Sequence, residues 1–239
     1  MIWTKDKLAA LPIEQGFYLR GQNMTRIETF VAAAFAFSIT LIMISGDHIP
    51  TTIPETQQAM LSIPAFLFSG AQLIWIWFAH ATWSKRYGLE DGKSIMLSGL
   101  LTMLVLVYIY PMRMLASALF SWISGGYFKS DLVLKTFDEL RFLFYFSAAV
   151  LLLLAVIFYL MNRHVINLRE QLQLTDYEVH RTVTEGFSWI LVMVISAIVF
   201  VLSAVASEAI LPFVPTLFGV LSPALPLLHK YRRKTEPPL

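Results

Sequence analysis

The sequence contains no cysteine, so it can form no disulfide and offers no thiolate as a nucleophile or metal ligand. Charged residues are scarce as well: they make up 14% of the 239 residues, whereas a soluble domain carries about a quarter. No glycine-rich phosphate loop is present, and no Asp or Glu lies deep within an apolar run. These absences argue against an enzyme, a metal site, a bound cofactor and a proton-coupled transporter.

Apolar residues fill the sequence instead: 57% of it is hydrophobic, and the mean hydropathy is +0.65. A helix that spans a membrane needs about 20 apolar residues, and in lipid its backbone must satisfy its own hydrogen bonds. Six nearly charge-free runs have this length, at 29–46, 56–84, 94–112, 142–162, 186–207 and 209–228. They predict an all-α, polytopic membrane protein with six transmembrane helices. The chain must turn near Glu208, because one helix through the last two runs would measure about 65 Å.

The basic residues predict the orientation of these spans. With six spans, 14 of the 18 lysines and arginines fall on one side, and this side carries both termini. Because cytoplasmic connections are enriched in Lys and Arg, both termini are predicted to be cytoplasmic. The chain is interpreted as a single six-helix domain, 1–239, with an interfacial segment 1–25, a cytoplasmic connection 163–185 and a basic tail 229–239. The expected location is a cell membrane, the bacterial inner membrane, with lipid as a partner and no nucleic acid.

The first span contains the most informative pattern. Helical spacing places Ala33, Phe37, Thr40 and Ile44 on one face, and Asp47 follows at the outer end. A stripe that combines apolar side chains with one hydroxyl is suited to line a narrow pore. Ordinary packing between helices is the alternative interpretation of the same stripe.

This span resembles the first helix of the bacterial relatives of transmembrane protein 175, the endolysosomal potassium channel. That family opens with Arg, three residues and then Phe-Ser-Asp, followed by an apolar run that ends in Ile-Thr-Leu. Here Arg26 is followed after three residues by Phe30-Val31-Ala32, and the run reaches 39–41, Ile-Thr-Leu. The family's Ser and Asp are thus replaced by Val31 and Ala32, so the signature is degenerate.

The second and third spans carry further points of resemblance. The family has a Trp with a His three residues later, which here are Trp77 and His80, and a Leu-rich third helix with a late proline, here Pro111. The resemblance covers about residues 26–115. It implies that Arg26, Phe30, Trp77 and His80 form a structural or gating cluster, with Arg26 and His80 close together.

The resemblance also implies a function. It predicts a potassium-permeable cation channel, assembled as a homotetramer, in which the first helices surround the conduction path. By the family alignment, the hydrophobic constriction falls at Phe37 and a polar ring at Thr40. The chain has no Thr-Val-Gly-Tyr-Gly filter, so selectivity would depend on pore width and the threonine hydroxyls. The alternative is a non-conducting regulatory or structural membrane protein on the same scaffold.

Overall fold

The structure is a computed structural model that describes residues 3–44, 51–128, 130, 132 and 134–238. Its elements, in chain order, are α1 (Lys5–Ala9), β1 (Ile13–Glu14), β2 (Phe17–Tyr18), α2 (Arg26–Ile44), α3 (Ile53–Met60), α4 (Ile63–Tyr87), α5 (Gly92–Ile123), α6 (Phe137–Asn167), α7 (Arg169–Leu172), α8 (Asp176–Val205), a 3₁₀ helix (Leu211–Val220) and α9 (Leu221–Arg233). The two strands form a short antiparallel hairpin. The other elements in the described ranges are helices, so the predicted all-α class holds apart from this hairpin.

Each of the six apolar runs overlaps one long helical segment. Five of them are long and apolar enough to cross a membrane: α4, α5, α6, α8 and the continuous segment Leu211–Arg233. The sixth, α2, has 19 residues and measures about 28 Å, close to the roughly 30 Å of a bilayer's hydrocarbon core. The polytopic helical class is therefore confirmed, while the count of six spans remains a prediction. Asp47 lies outside the described residues.

The predicted turn near Glu208 is confirmed. α8 ends at Val205, and the segment that begins at Leu211 packs back against it. The Arg141 guanidinium of α6 donates to the carbonyl oxygens of Ser203, Ala204 and Ala206, each at 2.9 Å. The last carbonyls of a helix have no partner within the helix and carry partial negative charge. Arg141 thus supplies both the missing donors and a compensating cation where α8 ends.

The last apolar segment consists of two helices of different type, a 3₁₀ helix followed by the α-helix α9. Its first half is a ten-residue 3₁₀ helix that contains Pro212 and Pro215, longer than such helices usually are. Proline has no N–H for an α-helical hydrogen bond and clashes with the preceding turn. A 3₁₀ helix rises about 2 Å per residue, so the segment Leu211–Arg233 reaches about 40 Å. The segment therefore has the length to span a bilayer although four prolines interrupt it.

α5 lies at the centre of the bundle, in contact with α2, α4 and α6, while α8 packs on α6 at the other side. The main core is built from α5 and its neighbours and includes Leu101, Val105 and Ile109. α2 also contacts α4. The first long helix therefore packs on its own chain along one side only.

The N-terminal segment packs against one end of the bundle. Arg20 and Gly21 donate backbone hydrogen bonds to the carbonyls of Arg86 and Lys85, at 3.2 and 3.0 Å. This crossing requires glycine: a Cβ at Gly21 would lie 2.4 Å from the Ser84 carbonyl oxygen. Gly88, with φ +57°, ends α4 in the left-handed conformation that glycine adopts without strain. Arg20 and Gly21 belong to the predicted interfacial segment 1–25. Their backbone hydrogen bonds hold this part of the segment against the end of α4.

The connection predicted at 163–185 is largely helical, because α6 continues to Asn167 and α8 begins at Asp176. His164 Nε2 lies 2.9 Å from Asp91 Oδ2, and His180 Nε2 lies 3.0 Å from the carbonyl oxygen of Arg232. Both histidines therefore make polar contacts within the described part of the chain. Desolvation alone would raise the Asp91 pKa, but hydrogen bonds from Ser94 and His164 outweigh it and lower that pKa below its usual value.

Candidate functional site

α2 presents one face away from its own chain. Phe30, Ala33, Phe37 and Thr40 follow each other at helical spacing, and all four are exposed. Phe30 and Phe37 are 53% and 58% exposed, which is high for side chains of this size. Three of the four predicted pore-lining residues therefore share one outward face. The fourth, Ile44, belongs to α2, but its side chain lies outside the described part of the chain.

The opposite face of α2 is packed against α4 and α5. Val31, Phe35, Ser38 and Ile42 repeat at the same spacing and are buried. The Ser38 hydroxyl donates to the Ala34 carbonyl at 2.7 Å, so its polar group is satisfied within the helix. This buried face fixes the rotation of α2 about its axis, and the outward face follows from it.

A hydrogen bond between side chains holds the beginning of α2. The Thr25 hydroxyl accepts from the backbone N–H of Glu28 at 3.1 Å, which caps the helix. The Glu28 carboxylate in turn accepts from the Ser84 hydroxyl of α4 at 3.2 Å. Glu28 therefore links the first two long helices.

A buried arginine holds the other end of α2. Arg113 of α5 donates to the carbonyl oxygen of Ile42, which belongs to the last turn of α2. A cation at this position complements the negative end of the helix dipole. Arg113 itself is buried within α5. A lone arginine inside an apolar run was the available signal, since ionisable residues at such positions are usually functional.

Thr40 is the polar residue of the outward face. Its hydroxyl donates to the Ala36 carbonyl of the preceding turn at 3.3 Å. Because that bond uses the proton of the hydroxyl, the oxygen lone pairs remain as acceptors on the exposed side. Oxygen acceptors are the ligands that replace the hydration shell of a permeating cation.

The predicted cluster of Arg26, Phe30, Trp77 and His80 is not joined by polar contacts in the described part of the chain. His80 is buried, and its Nε2 lies 2.9 Å from the Ser98 hydroxyl of α5. Arg26, Phe30 and Trp77 are exposed. The partner of His80 is thus on the third span rather than the first. The proposed role of the cluster in gating stays a prediction.

We expect His80→Leu to lower the free energy of unfolding by about 0.6–2 kcal/mol, the range of hydrogen bonds between membrane helices. Ser98→Ala should cost a similar amount. If the two side chains interact as the structure indicates, the double variant should lose less than the sum of both changes. Unfolding of the purified protein in mixed detergent micelles measures this. Strictly additive losses would contradict the pairing.

The fold and the outward face of α2 define a class of protein: a polytopic helical membrane protein. Its first long helix is anchored at both ends and uncovered on one side. Among the described residues, no group of three His, Asp or Glu side chains could hold a metal ion. No family model matches the sequence.

Two comparisons identify similar proteins. The structure is similar to a variant of the potassium channel MtTMEM175, solved in complex with a Nanobody-MBP fusion protein, with a TM-score of 0.81 and 25% identity, over 94% of this chain and 100% of that chain. A protein from Marivirga tractuosa named "Potassium channel" is 40% identical over 116 residues. That match covers 48% of this chain and 46% of the relative, so the aligned part spans about half the relative's length.

These relatives confirm the resemblance that the first three spans suggested. The solved relative is a bacterial channel of the transmembrane protein 175 type, and both relatives are named as channels, not as enzymes. The similarity in fold extends well beyond residues 26–115, on which the sequence resemblance rested.

Proposed function

We propose that the chain is one subunit of a potassium-permeable cation channel, in which the first long helices of several subunits surround the conduction path. The outward stripe of α2 carries this proposal: Phe30, Ala33, Phe37 and Thr40 face away from the subunit's own core. The anchors at Glu28 and Arg113 keep α2 in this orientation. The similarity to two proteins named potassium channels supports the ion.

Within this proposal, Phe37 forms a hydrophobic constriction and Thr40 a ring of hydroxyl oxygens. An apolar constriction blocks ions by remaining dry, since an ion there would lose its hydration shell without replacement. The Thr40 oxygens supply acceptors one turn further along the helix. Assembly as a homotetramer follows the family expectation, and the uncovered face of α2 is the surface that such an assembly would bury.

Potassium flux through liposomes tests this function. Purified protein reconstituted into vesicles should pass potassium down its gradient faster than sodium and faster than protein-free vesicles do. A non-conducting scaffold protein is the competing interpretation, and it predicts no flux of either ion. Equal potassium and sodium fluxes would contradict the selectivity but retain the channel.

The proposal includes six spans with both termini in the cytoplasm. The chain contains no cysteine, so single cysteines can be introduced without background. Glu208 and Thr235 are both exposed. In intact cells, Glu208→Cys should react with a membrane-impermeant maleimide applied from outside, whereas Thr235→Cys should react only after the cells are lysed. Labelling of Thr235→Cys in intact cells would contradict the orientation.

A further inference from the structure

A crevice of about 400 Å³ lies between α4, α6, α8 and α9, away from the outward face of α2. Its lining includes Trp75, Trp83, Asn162, Glu185, Trp189 and His229. Small-molecule sites in proteins commonly occupy clefts of about 300–1,000 Å³ with apolar and aromatic walls and a few polar groups. The crevice has both the size and the mixed lining of such a site.

Aromatic rings form much of its wall. Trp189 stacks face to face on Phe158, with ring centroids 4.1 Å apart, and lies 5.6 Å from Trp75. These contacts hold the rings of Trp189 and Trp75 at defined angles beside the crevice. Flat rigid surfaces of this kind favour an aromatic or aliphatic ligand body, which buries apolar area against them.

Two polar atoms of the lining residues lack partners. The indole Nε1 of Trp83 and the amide Oδ1 of Asn162 are both buried, and neither makes a hydrogen bond within the described residues. The amide nitrogen of Asn162 is already used, since it donates to the Phe158 carbonyl at 2.9 Å. Buried polar groups are nearly always paired, so two orphans beside one crevice point to a missing partner.

A single hydroxyl group can pair with both the Trp83 indole nitrogen and the Asn162 amide oxygen. Indole N–H is only a donor and the amide oxygen is only an acceptor, whereas a hydroxyl both accepts and donates. A charged head group is not required, because Arg86 and Glu185 pair with each other at 2.5 Å and His229 lies 3.1 Å from the Ser188 hydroxyl. The polar lining therefore selects for a neutral ligand.

We propose that this crevice binds a small amphiphile with an aromatic or aliphatic body and a single hydroxyl group. Its hydroxyl accepts from Trp83 and donates to Asn162, and its body lies against Trp75 and Trp189. Both orphan atoms are buried, so binding requires the two side chains to rotate toward the crevice. Because α4, α8 and α9 belong to membrane-spanning segments, such a ligand enters from the bilayer.

A brominated alkylphenol and its methyl ether form the probe pair. Bromine quenches tryptophan fluorescence on contact, and three of the six tryptophans line the crevice. We expect the phenol to quench the fluorescence of the purified protein saturably. The ether should bind at least about tenfold more weakly, a difference of about 1.4 kcal/mol. Equal affinities for phenol and ether would overturn the proposal, because they would show apolar partitioning alone.

Variants separate the hydroxyl site from general effects on the protein. Asn162→Leu keeps the branched shape of the side chain but removes the acceptor, so the phenol should bind this variant only as well as the ether does. Ser196→Ala is the matched control: the Ser196 hydroxyl is also buried without a partner, but it does not line the crevice. Unchanged phenol affinity in Asn162→Leu would contradict the assignment.

A second variant keeps the test decisive if Asn162→Leu does not fold. Ala79 lines the crevice and is partly buried, so Ala79→Phe adds a ring to the space that the ligand needs. Saturable quenching should disappear in this variant, while the unquenched fluorescence and thermal unfolding remain those of a folded protein. Undiminished quenching by the phenol in folded Ala79→Phe protein would place the ligand elsewhere and reject the site.

Discussion

Phe37→Ala should raise basal potassium flux through reconstituted protein by roughly tenfold or more over the parent, equivalent to a barrier lower by at least about 1.4 kcal/mol. The reason is geometric. If four α2 helices surround an axis, four phenyl rings at one level form an apolar plug that excludes water. Truncation to Ala removes most of each ring, so that water and hydrated ions can enter the constriction. Flux assays in liposomes measure the ratio of the variant to the parent.

The control must be an exposed phenylalanine on another helix. Phe78 of α4 is 62% exposed, comparable to the 58% of Phe37, so Phe78→Ala should fold normally and leave the flux unchanged. Phe35→Ala is not a suitable control, although Phe35 lies on another face of α2. It is 3% exposed, and truncating a buried Phe costs about 3–5 kcal/mol through the cavity it leaves.

If Phe37→Ala assembles as the parent does but passes no more potassium, the pore assignment is wrong. The non-conducting interpretation would then explain the stripe of α2 as a surface for packing against another copy. An increase with Phe78→Ala of the same size would indicate leak caused by loosened packing rather than an opened constriction.

Arg20→Ala should lower the free energy of unfolding by about 3–5 kcal/mol. Arg20 Nη1 and Nη2 donate to the two carboxylate oxygens of Glu178 at 2.7 and 2.9 Å, and both side chains are fully buried. Arg20 Nε also donates to the Leu172 carbonyl at 3.0 Å. Removing the guanidinium leaves a buried carboxylate without its cation, and the desolvation of that charge is then uncompensated.

The chain offers an exposed ion pair as the control. Lys85 Nζ and Glu14 Oε2 lie 2.6 Å apart near the same end of the bundle, but both side chains are about half exposed. Water screens such a pair, so Lys85→Ala should cost less than about 1 kcal/mol. Thermal unfolding in detergent, followed by tryptophan fluorescence, compares the two variants. Equal shifts would show that burial does not make the Arg20–Glu178 pair stronger.

Much of the architecture followed from the sequence alone. Long charge-free runs must become helices in lipid, because only a helix satisfies its own backbone there. The turn at Glu208 followed from length, since one helix through both final runs would be about twice as long as the hydrocarbon core is thick. The pattern at Ala33, Phe37 and Thr40 predicted a common face, because residues three or four apart share a side of a helix, and all three are exposed on α2.

The environment of that face, and the partners of the polar residues, depended on the tertiary structure. Periodicity predicts that residues share a face but not whether the face is buried, so it could not show that Phe35 points into the core and Phe37 away from it. His80 bonds to Ser98, and Arg113 reaches back to Ile42 across 71 residues of sequence. These partners depend on which helices pack together and on how the residues of neighbouring helices align along the bundle. The pattern of residues in the sequence gives neither.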